Sequence, residues 1–206
     1  MVPATQKDKA TVISIISDCF WDNPGVNFII GKKRNKSKRL KALAEYAFDY
    51  AFYRKGIFLT KNAKGLAICY LYNIKPKKLY DIWLKAKLVT RAIGWIRILK
   101  VIAHTKRIND KRPANGDYLY FWFMGVSKEG RGNIKTAIEI MDYIFNLSNS
   151  LKKIVYAETS VAKNMNIYKQ LGFQTYTELN YTDTPLNIWC MYREYGKNSR
   201  WMRKSA

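Results

Sequence analysis

The sequence predicts an α/β domain, and two features of the chain carry that prediction. Apolar runs of strand length alternate with amphipathic segments of helical period. The run at residues 118–124 is unbroken, aromatic-rich and bounded by polar residues, which is typical of a strand buried on both faces. Apolar side chains then recur at helical spacing: Ile134, Ala137, Ile138, Met141 and Phe145.

The first half of the chain predicts two helices, a hairpin and a long apolar helix. The first helix buries Val12, Ile15, Ile16, Cys19 and Phe20 and ends at residues 21–25. A cationic tract, residues 32–41, leads into a second helix with an inward face of Leu40, Leu43, Ala44, Ala47, Phe48 and Ala51. Residues 56–60 and 65–72 predict a β-hairpin.

Residues 78–104 predict a long helix that Gly94 divides. Its apolar residues favour packing in the core, while a roof over an acceptor pocket and a contact with a membrane surface are the alternatives. Later in the chain, residues 154–159 predict a strand, and residues 162–171 predict a helix that Gly172 closes. Residues 173–179 and 187–193 predict a final strand pair. We expect one domain, residues 1–206, with a helical insert at residues 76–112.

Composition narrows the classes of function. The net charge is +22, and residues 1–116 hold 25 cations against 7 acids, a balance of +18. This favours an anionic partner: nucleic acid, a membrane surface or the phosphates of a nucleotide-like cofactor. Cys19, Cys69 and Cys190 predict free, buried thiols in a reducing cytoplasm. A single histidine, His104, argues against a histidine triad or a zinc site. The sequence predicts neither a membrane span nor a signal peptide.

The turn between the central strand and its helix predicts a phosphate site. Residues 126–133 are basic and punctuated by glycine, and the free N–H groups of a helix start favour an anion. The dinucleotide fingerprint lacks its third glycine here. The nucleotide-binding loop G-x-x-x-x-G-K-[ST] is also not matched, because Arg131 and Gly132 stand at the positions of its Lys and its Ser or Thr.

Residues 129–134 resemble the acyl-CoA-binding motif of the GNAT superfamily of N-acetyltransferases, Q/R-x-x-G-x-G/A. Glu129 stands where Gln or Arg is usual, and Ile134 stands where Gly or Ala is usual. Arg131 and Lys135 offset the carboxylate of Glu129. We expect Asn133 at the helix start and the Ile134 side chain turned inward to the core.

Further segments are similar to the same family. Residues 158–173 resemble its second block, N-x-x-x-Y-x-x-x-G-F, and supply Asn164 and Tyr168. Residues 18–24, residues 189–194 and the helical insert resemble the puromycin-acetyltransferase-like branch. The family's usual first strand would fall at residues 1–3 and be short or missing.

The resemblance implies the GNAT fold, a mixed sheet whose central strands, ending near Val126 and Glu158, splay apart around acetyl-CoA. Backbone N–H groups of residues 131–136 would hold the pyrophosphate, and an N–H near Val126 would polarise the thioester carbonyl. No metal is implied. The implied cofactor-binding residues are Met124, Gly125, Val126, Glu129, Gly130, Arg131, Gly132, Asn133, Ile134, Lys135, Thr136, Asn164 and Tyr168.

The implied activity is direct transfer of an acetyl group from acetyl-CoA to an amine, whose identity the sequence leaves open. Tyr168 would protonate the leaving thiolate, and Glu158 would orient or deprotonate the amine. Core packing of Tyr168 and a structural hydrogen-bonding role for Glu158 are the alternatives. An acyl-CoA-binding pseudo-enzyme and a nucleic-acid-associated basic protein on the same fold also stay open, as does a homodimer.

Overall fold

A computed structural model describes residues 1–31, 35–182 and 184–197. Its strands form one mixed sheet in the order β1-β2-β3-β4-β5-β7-β6, in which β4 and β5 alone are parallel neighbours among the described strands. The strands are β1 (Val2–Pro3), β2 (Ile57–Leu59), β3 (Gly65–Leu71), β4 (Leu119–Val126), β5 (Val155–Thr159), β6 (Gln174–Tyr181) and β7 (Leu186–Arg193).

Seven α-helices of the described chain surround this sheet. A π-helical turn, Val89–Ile93, and a 3₁₀ turn, Trp95–Arg97, lie between the fourth and the fifth. The helices are α1 (Lys9–Cys19), α2 (Pro24–Ile30), α3 (Lys36–Phe52), α4 (Lys78–Leu88), α5 (Ile98–Asn109), α6 (Ile134–Leu151) and α7 (Ala162–Gln170).

The sheet is buried on both faces, which explains the unbroken apolar run of β4. Side chains of a strand alternate between the two faces. Tyr120 therefore joins a core with α1 and α3, around Val12 and Phe48. Its neighbour Phe121 joins a second core on the opposite face with α6, around Phe145.

Most of the predicted elements are present. The expected inward residues of α3 are all buried, and the hairpin is β2–β3. The predicted short first strand is β1, two residues paired with β2. Helix α2 was not expected, because Asn23-Pro24-Gly25 indicates a turn. Here Asn23 is instead an N-cap whose side chain accepts from the Val26 N–H at 3.0 Å, and Pro24 begins the helix.

The expected long helix is broken at Gly94, where φ is +80°. Its expected packing in the core is wrong for much of its apolar surface. Leu84 and Ile93 are buried, whereas Trp83, Trp95 and Leu99 are exposed. Gly94 leaves the helical conformation (φ +80°, ψ 152°), so α4 and α5 do not form one continuous inward face.

Three further expectations concern cysteines, metals and charge. All three cysteines are free, but Cys19 is half-buried rather than buried. Its position at the end of α1 places its Sγ 3.1 Å from the Val126 carbonyl oxygen. Among the described residues no cluster of His, Cys, Asp and Glu could hold a metal ion. Residues 32–34 of the cationic tract lie outside the described residues.

Candidate active site

The central feature of the site is a cleft where β4 and β5 separate. They pair only over Leu119 to Phe121 on β4 and Val155 to Ala157 on β5. Beyond this point β4 continues along β3 to Val126, and β5 continues along β7 to Thr159. The expected splay near Val126 and Glu158 is therefore present.

A cavity of about 180 Å³ lies in this cleft. Four of the predicted site residues line it: Met124, Glu158, Asn164 and Tyr168. Much of its remaining wall is aromatic and comes from β4 and the end of α1: Phe20, Tyr120, Trp122 and Phe123. The sheet thus brings together residues that are far apart in sequence, whereas none of the predicted site residues from 125 to 136 lines this cavity.

The backbone of β4 presents hydrogen-bonding groups to the cleft. The Ser127 N–H donates to the Lys64 carbonyl at 2.8 Å, so it points toward β3. Because successive residues of a strand face opposite sides in an antiparallel ladder, the N–H and C=O of Val126 point the other way. The same alternation turns the N–H of Met124 into the cleft. The Val126 carbonyl accepts from the Cys19 thiol there.

Two positions of the turn require glycine, each for a different physical reason. A Cβ at Gly130 would stand 2.9 Å from Val126 Cγ1, so this position allows close packing on β4. Gly132 has φ +86°, a conformation that glycine adopts without strain, and the space around its Cα is open. The spacing of the motif is therefore matched by a backbone that requires glycine at both places.

The turn already uses several of its own donors. The N–H groups of Arg131, Asn133 and Thr136 donate to backbone carbonyls within the turn at 3.2–3.3 Å, and Lys135 N–H donates to the Asn133 side chain at 3.0 Å. Asn133 is thus the predicted N-cap. Gly132 and Ile134 have no such acceptor among the described residues. Long 3.2–3.3 Å bonds are weak, so an anion could displace them.

The expected orientation of Ile134 is wrong. Ile134 is the first residue of α6, and 57% of its side chain is exposed. The buried face of α6 runs through Thr136, Ile140 and Ile144. Two residues correspond to about 200° of rotation, which places Ile134 on the opposite side of the helix from Thr136. The branched side chain therefore stands beside the turn instead of in the core.

Charge at the turn is mixed. The Glu129 carboxyl is exposed, and a hydrogen bond to its own backbone lowers its pKa, so it is ionised at neutral pH. Arg131 Nη2 lies 3.2 Å from the Asp18 carbonyl oxygen, and Lys128 pairs with the Asp18 carboxylate at 3.2 Å. Lys135 is exposed at the start of α6. The positive charges of Lys128 and Lys64 also lower the pKa of Glu129.

Tyr168 lies on α7 at the cavity wall. Its ring centroid is 5.2 Å from that of Phe173 and 6.4 Å from that of Phe121. Burial raises the pKa of the Tyr168 hydroxyl to about 12, so the hydroxyl carries its proton at neutral pH. Asn164 lies one turn earlier on the same helix and lines the same cavity.

Glu158 is not a free carboxylate. Arg112 Nε lies 2.7 Å from Glu158 Oε1, and Arg112 Nη2 lies 2.8 Å from Oε2. Less than a tenth of either side chain is exposed, and the guanidinium also lies 4.0 Å from the Tyr120 ring centroid. Such a bidentate pair fixes the orientation of the carboxylate. Sequence reasoning missed Arg112, because one arginine in a polar loop carries no signal of its partner.

The single histidine also lies at the cavity, which sequence reasoning missed as well. The His104 ring belongs to α5, and its Nδ1 lies 2.6 Å from the Tyr181 hydroxyl oxygen. Burial, followed by the charge of Arg107, lowers the pKa of His104 to about 4. The imidazole is therefore neutral at pH 7.

Comparison with known proteins identifies the fold. No protein-family model matches the chain, and no curated protein matches it in sequence. Arylalkylamine N-acetyltransferase 2 from Aedes aegypti is similar in structure, with TM-score 0.66 and 16% identity over 93% of this chain and 95% of that chain. A histone acetyltransferase-related protein from Corynebacterium glutamicum gives TM-score 0.62 and 16% identity, over 96% and 97% of the two chains.

An N-acetyltransferase from Staphylococcus aureus gives TM-score 0.59 and 15% identity, over 92% and 97%. The chain therefore has the GNAT acetyltransferase fold, as the sequence predicted. At these identities the likeness shows the fold alone. The puromycin-acetyltransferase-like branch stays a prediction, and neither a nucleic-acid partner nor a homodimer gains support. None of the described helices is long and apolar enough to cross a membrane.

Proposed function

We propose that this chain, which has the acetyltransferase fold, transfers an acetyl group from acetyl-CoA to a primary amine by direct attack. The observation that carries the proposal is the cleft between β4 and β5, which joins free strand backbone, a protonated tyrosine and an aromatic cavity. Strand β4 leads from this cleft into the glycine turn that precedes α6.

The donor is proposed to lie along β4. The cleft-facing N–H and C=O of Met124 and the N–H of Val126 suit pairing with the amide groups of the pantetheine arm, while the Val126 carbonyl accepts from the Cys19 thiol. Gly125 keeps this part of the strand close to α1. The Val126 N–H would then polarise the thioester carbonyl, where negative charge develops during attack. The Gly132 and Ile134 N–H groups, together with Arg131 and Lys135, would meet the pyrophosphate.

Transfer forms a C–N bond and breaks the C–S bond. The coenzyme A thiolate leaves and needs a proton, which the Tyr168 hydroxyl supplies because it is protonated at neutral pH. The attacking amine releases one proton to solvent in the same reaction, and solvent then returns one proton to the Tyr168 phenolate. Asn164 is proposed to hold the donor beside α7.

The Glu158–Arg112 pair is proposed to orient the amine. The pair carries no net charge, and the aromatic wall desolvates the acceptor, so both favour the neutral amine that can attack. The Arg112 guanidinium binds both carboxylate oxygens of Glu158 and holds the carboxylate in place. Glu158 would therefore orient the amine, or a water between them, from a fixed position.

The proposed acceptor is a small amine with an aromatic body. The cavity is smaller than the roughly 300–1,000 Å³ of drug-sized sites, and Phe20, Trp122 and Tyr168 give it flat apolar walls. The structurally similar mosquito enzyme is an arylalkylamine N-acetyltransferase, which supports the same class.

Thermal unfolding with and without acetyl-CoA tests donor binding, and thiol release with a panel of amines tests transfer. We expect a raised Tm and faster release with phenylethylamine than with an aliphatic polyamine or a lysine peptide. Tyr168→Phe should lower kcat about 10²-fold or more with little change in acetyl-CoA affinity.

Tyr143→Phe is the matched control, since Tyr143 is a half-buried tyrosine on α6 that packs on Phe58 outside the cleft. Equal kcat for both variants and the parent would refute the role of Tyr168. A raised Tm with no turnover for any amine would favour the second candidate, an acyl-CoA-binding pseudo-enzyme. Glu129 and Ile134 motivate that alternative, because both depart from the acyl-CoA motif and both are exposed at the turn between β4 and α6.

A further inference from the structure

The exposed apolar side chains of the described residues are concentrated in one region. Sixteen large apolar side chains are exposed, and nine of them lie between Ile74 and Ile102. Scattered exposed apolar residues are ordinary, but a contiguous group marks a contact surface. The region coincides with the helical segments between β3 and β4.

Helix α5 shows the pattern most clearly because it is apolar on two sides. Its inner side packs on the domain through Val101 and His104, both buried. Its outer side continues a row that begins in the preceding 3₁₀ turn. We name this row the α5 stripe; it consists of Trp95 (72% exposed), Ile96 (fully exposed), Leu99 (78%) and Ile102 (55%). Ile96, Leu99 and Ile102 recur every three residues and Trp95 lies four residues before Leu99, which places the four side chains on one face.

The segment that contains the α5 stripe has a large excess of cations in its sequence, four of which, Lys85, Lys87, Arg91 and Lys106, form ion pairs with carboxylates. Residues 75–109 contain ten Lys and Arg residues, and Asp81 is their single acid. Lys106 and Arg107 lie in the last turn of α5 itself. The segment thus combines exposed Trp, Ile and Leu with a dense field of cations.

We propose that the α5 stripe docks on the surface of an anionic lipid bilayer. A helix in the membrane interface buries its apolar face at the boundary of headgroups and acyl chains while its cations attract acidic headgroups. Trp95 suits the interface because an indole is amphipathic. Each Lys or Arg near an anionic leaflet adds to the attraction, and salt weakens it.

Charge and chemistry distinguish a bilayer from the other occupants. A second copy would bring a like-charged segment against this one, which opposes pairing of the two stripes. The phosphates of a nucleic acid would attract the cations. The fully exposed Ile96 and the neighbouring Leu99, however, offer a nucleic acid neither a charge nor a ring for stacking. Transfer of these aliphatic side chains from water into the hydrocarbon of a bilayer is favourable.

Sedimentation with vesicles tests the proposal on the full chain. We expect binding to phosphatidylcholine vesicles containing phosphatidylglycerol that is about tenfold or more tighter than to phosphatidylcholine alone, and weaker in high salt. The triple variant Trp95→Ser, Ile96→Ser and Leu99→Ser should lose at least about tenfold of that binding. Quenching of Trp95 by brominated lipid, measured against Trp95→Phe, should place the stripe in the interface.

The control is a triple variant at exposed apolar sites outside the region: Val2→Ser, Leu151→Ser and Ile167→Ser. It should bind vesicles like the parent, and thermal unfolding should show both triple variants folded. Four results would overturn the proposal: no vesicle binding, equal losses in both triple variants, tighter binding to RNA that the stripe variant retains, or a stripe-dependent dimer without lipid.

Discussion

Lowering the pH from 7 to 5 should weaken the fold through one side chain, the His104 imidazole. This ring is buried, its Nδ1 lies 2.6 Å from the Tyr181 hydroxyl oxygen, and its centroid lies 4.7 Å from that of Phe28. Burial lowers its pKa to about 4, while an exposed histidine in the unfolded chain has a pKa of about 6.5. Arg107 adds to the lowering and Glu158 opposes it.

The sign of the effect follows from where the protons bind. Between pH 6.5 and pH 4 the unfolded chain binds a proton at His104 and the folded chain does not. The free energy of unfolding therefore falls as the pH falls through this window, and it is unaffected well above pH 6.5. Integration from pH 7 to pH 5 gives a loss of about 2 kcal/mol.

Urea unfolding at pH 7 and pH 5, at fixed ionic strength, measures this loss. Carboxylates also contribute, so the comparison is with His104→Gln, which keeps a polar side chain beside Tyr181 and cannot titrate. The chain has no other histidine, so the difference between the two proteins isolates this group. We expect the parent to lose about 2 kcal/mol more than the variant. Equal losses would refute the burial argument.

Two further predictions concern the site. Arg112→Met should lower the free energy of unfolding by about 3–5 kcal/mol, because it leaves the Glu158 carboxylate buried without a partner. Adding Glu158→Leu should restore most of that loss in urea unfolding; an equally unstable double variant would contradict the reasoning. Ile134→Ala should tighten coenzyme A binding measured by calorimetry, with stability changed by less than about 0.5 kcal/mol because the side chain is exposed. Leu151→Ala, at the other end of α6 and 41% exposed, is its control, and unchanged affinity for coenzyme A in the Ile134 variant would show that this side chain does not obstruct the site.

Sequence periodicity predicted the elements that pack one face on the sheet. The inward residues of α3 follow from a period of 3.6 residues, and the unbroken apolar run of β4 indicates a strand buried on both faces, so the burial of both could be foreseen. Ile134 shows the limit of that method. The apolar series from Ile134 suggested an inward face, but the conformations of Gly132 and Asn133 determine where α6 begins and therefore which way its first residue points.

The partners within the site could not be predicted because they depend on tertiary contacts. Arg112 meets Glu158 across 46 residues of sequence, and His104 meets Tyr181 across 77. No local pattern encodes such a pairing. The prediction that Tyr168 and Asn164 belong to one site relied on a sequence block, and the structure adds that both line the cavity of the cleft.

The short pairing of β4 with β5 has a consequence for local unfolding of the sheet. Only three register pairs join the half of the sheet that contains β1 to β4 to the half that contains β5 to β7. We expect the two halves to exchange their amide hydrogens as separate cooperative units. Between the two halves, the slowest exchange should be at the paired residues Leu119 to Phe121. A ligand that pairs with the unpaired edge of β4 would act as a temporary strand between them. It should slow exchange at Met124 and Val126 and merge the two units into one.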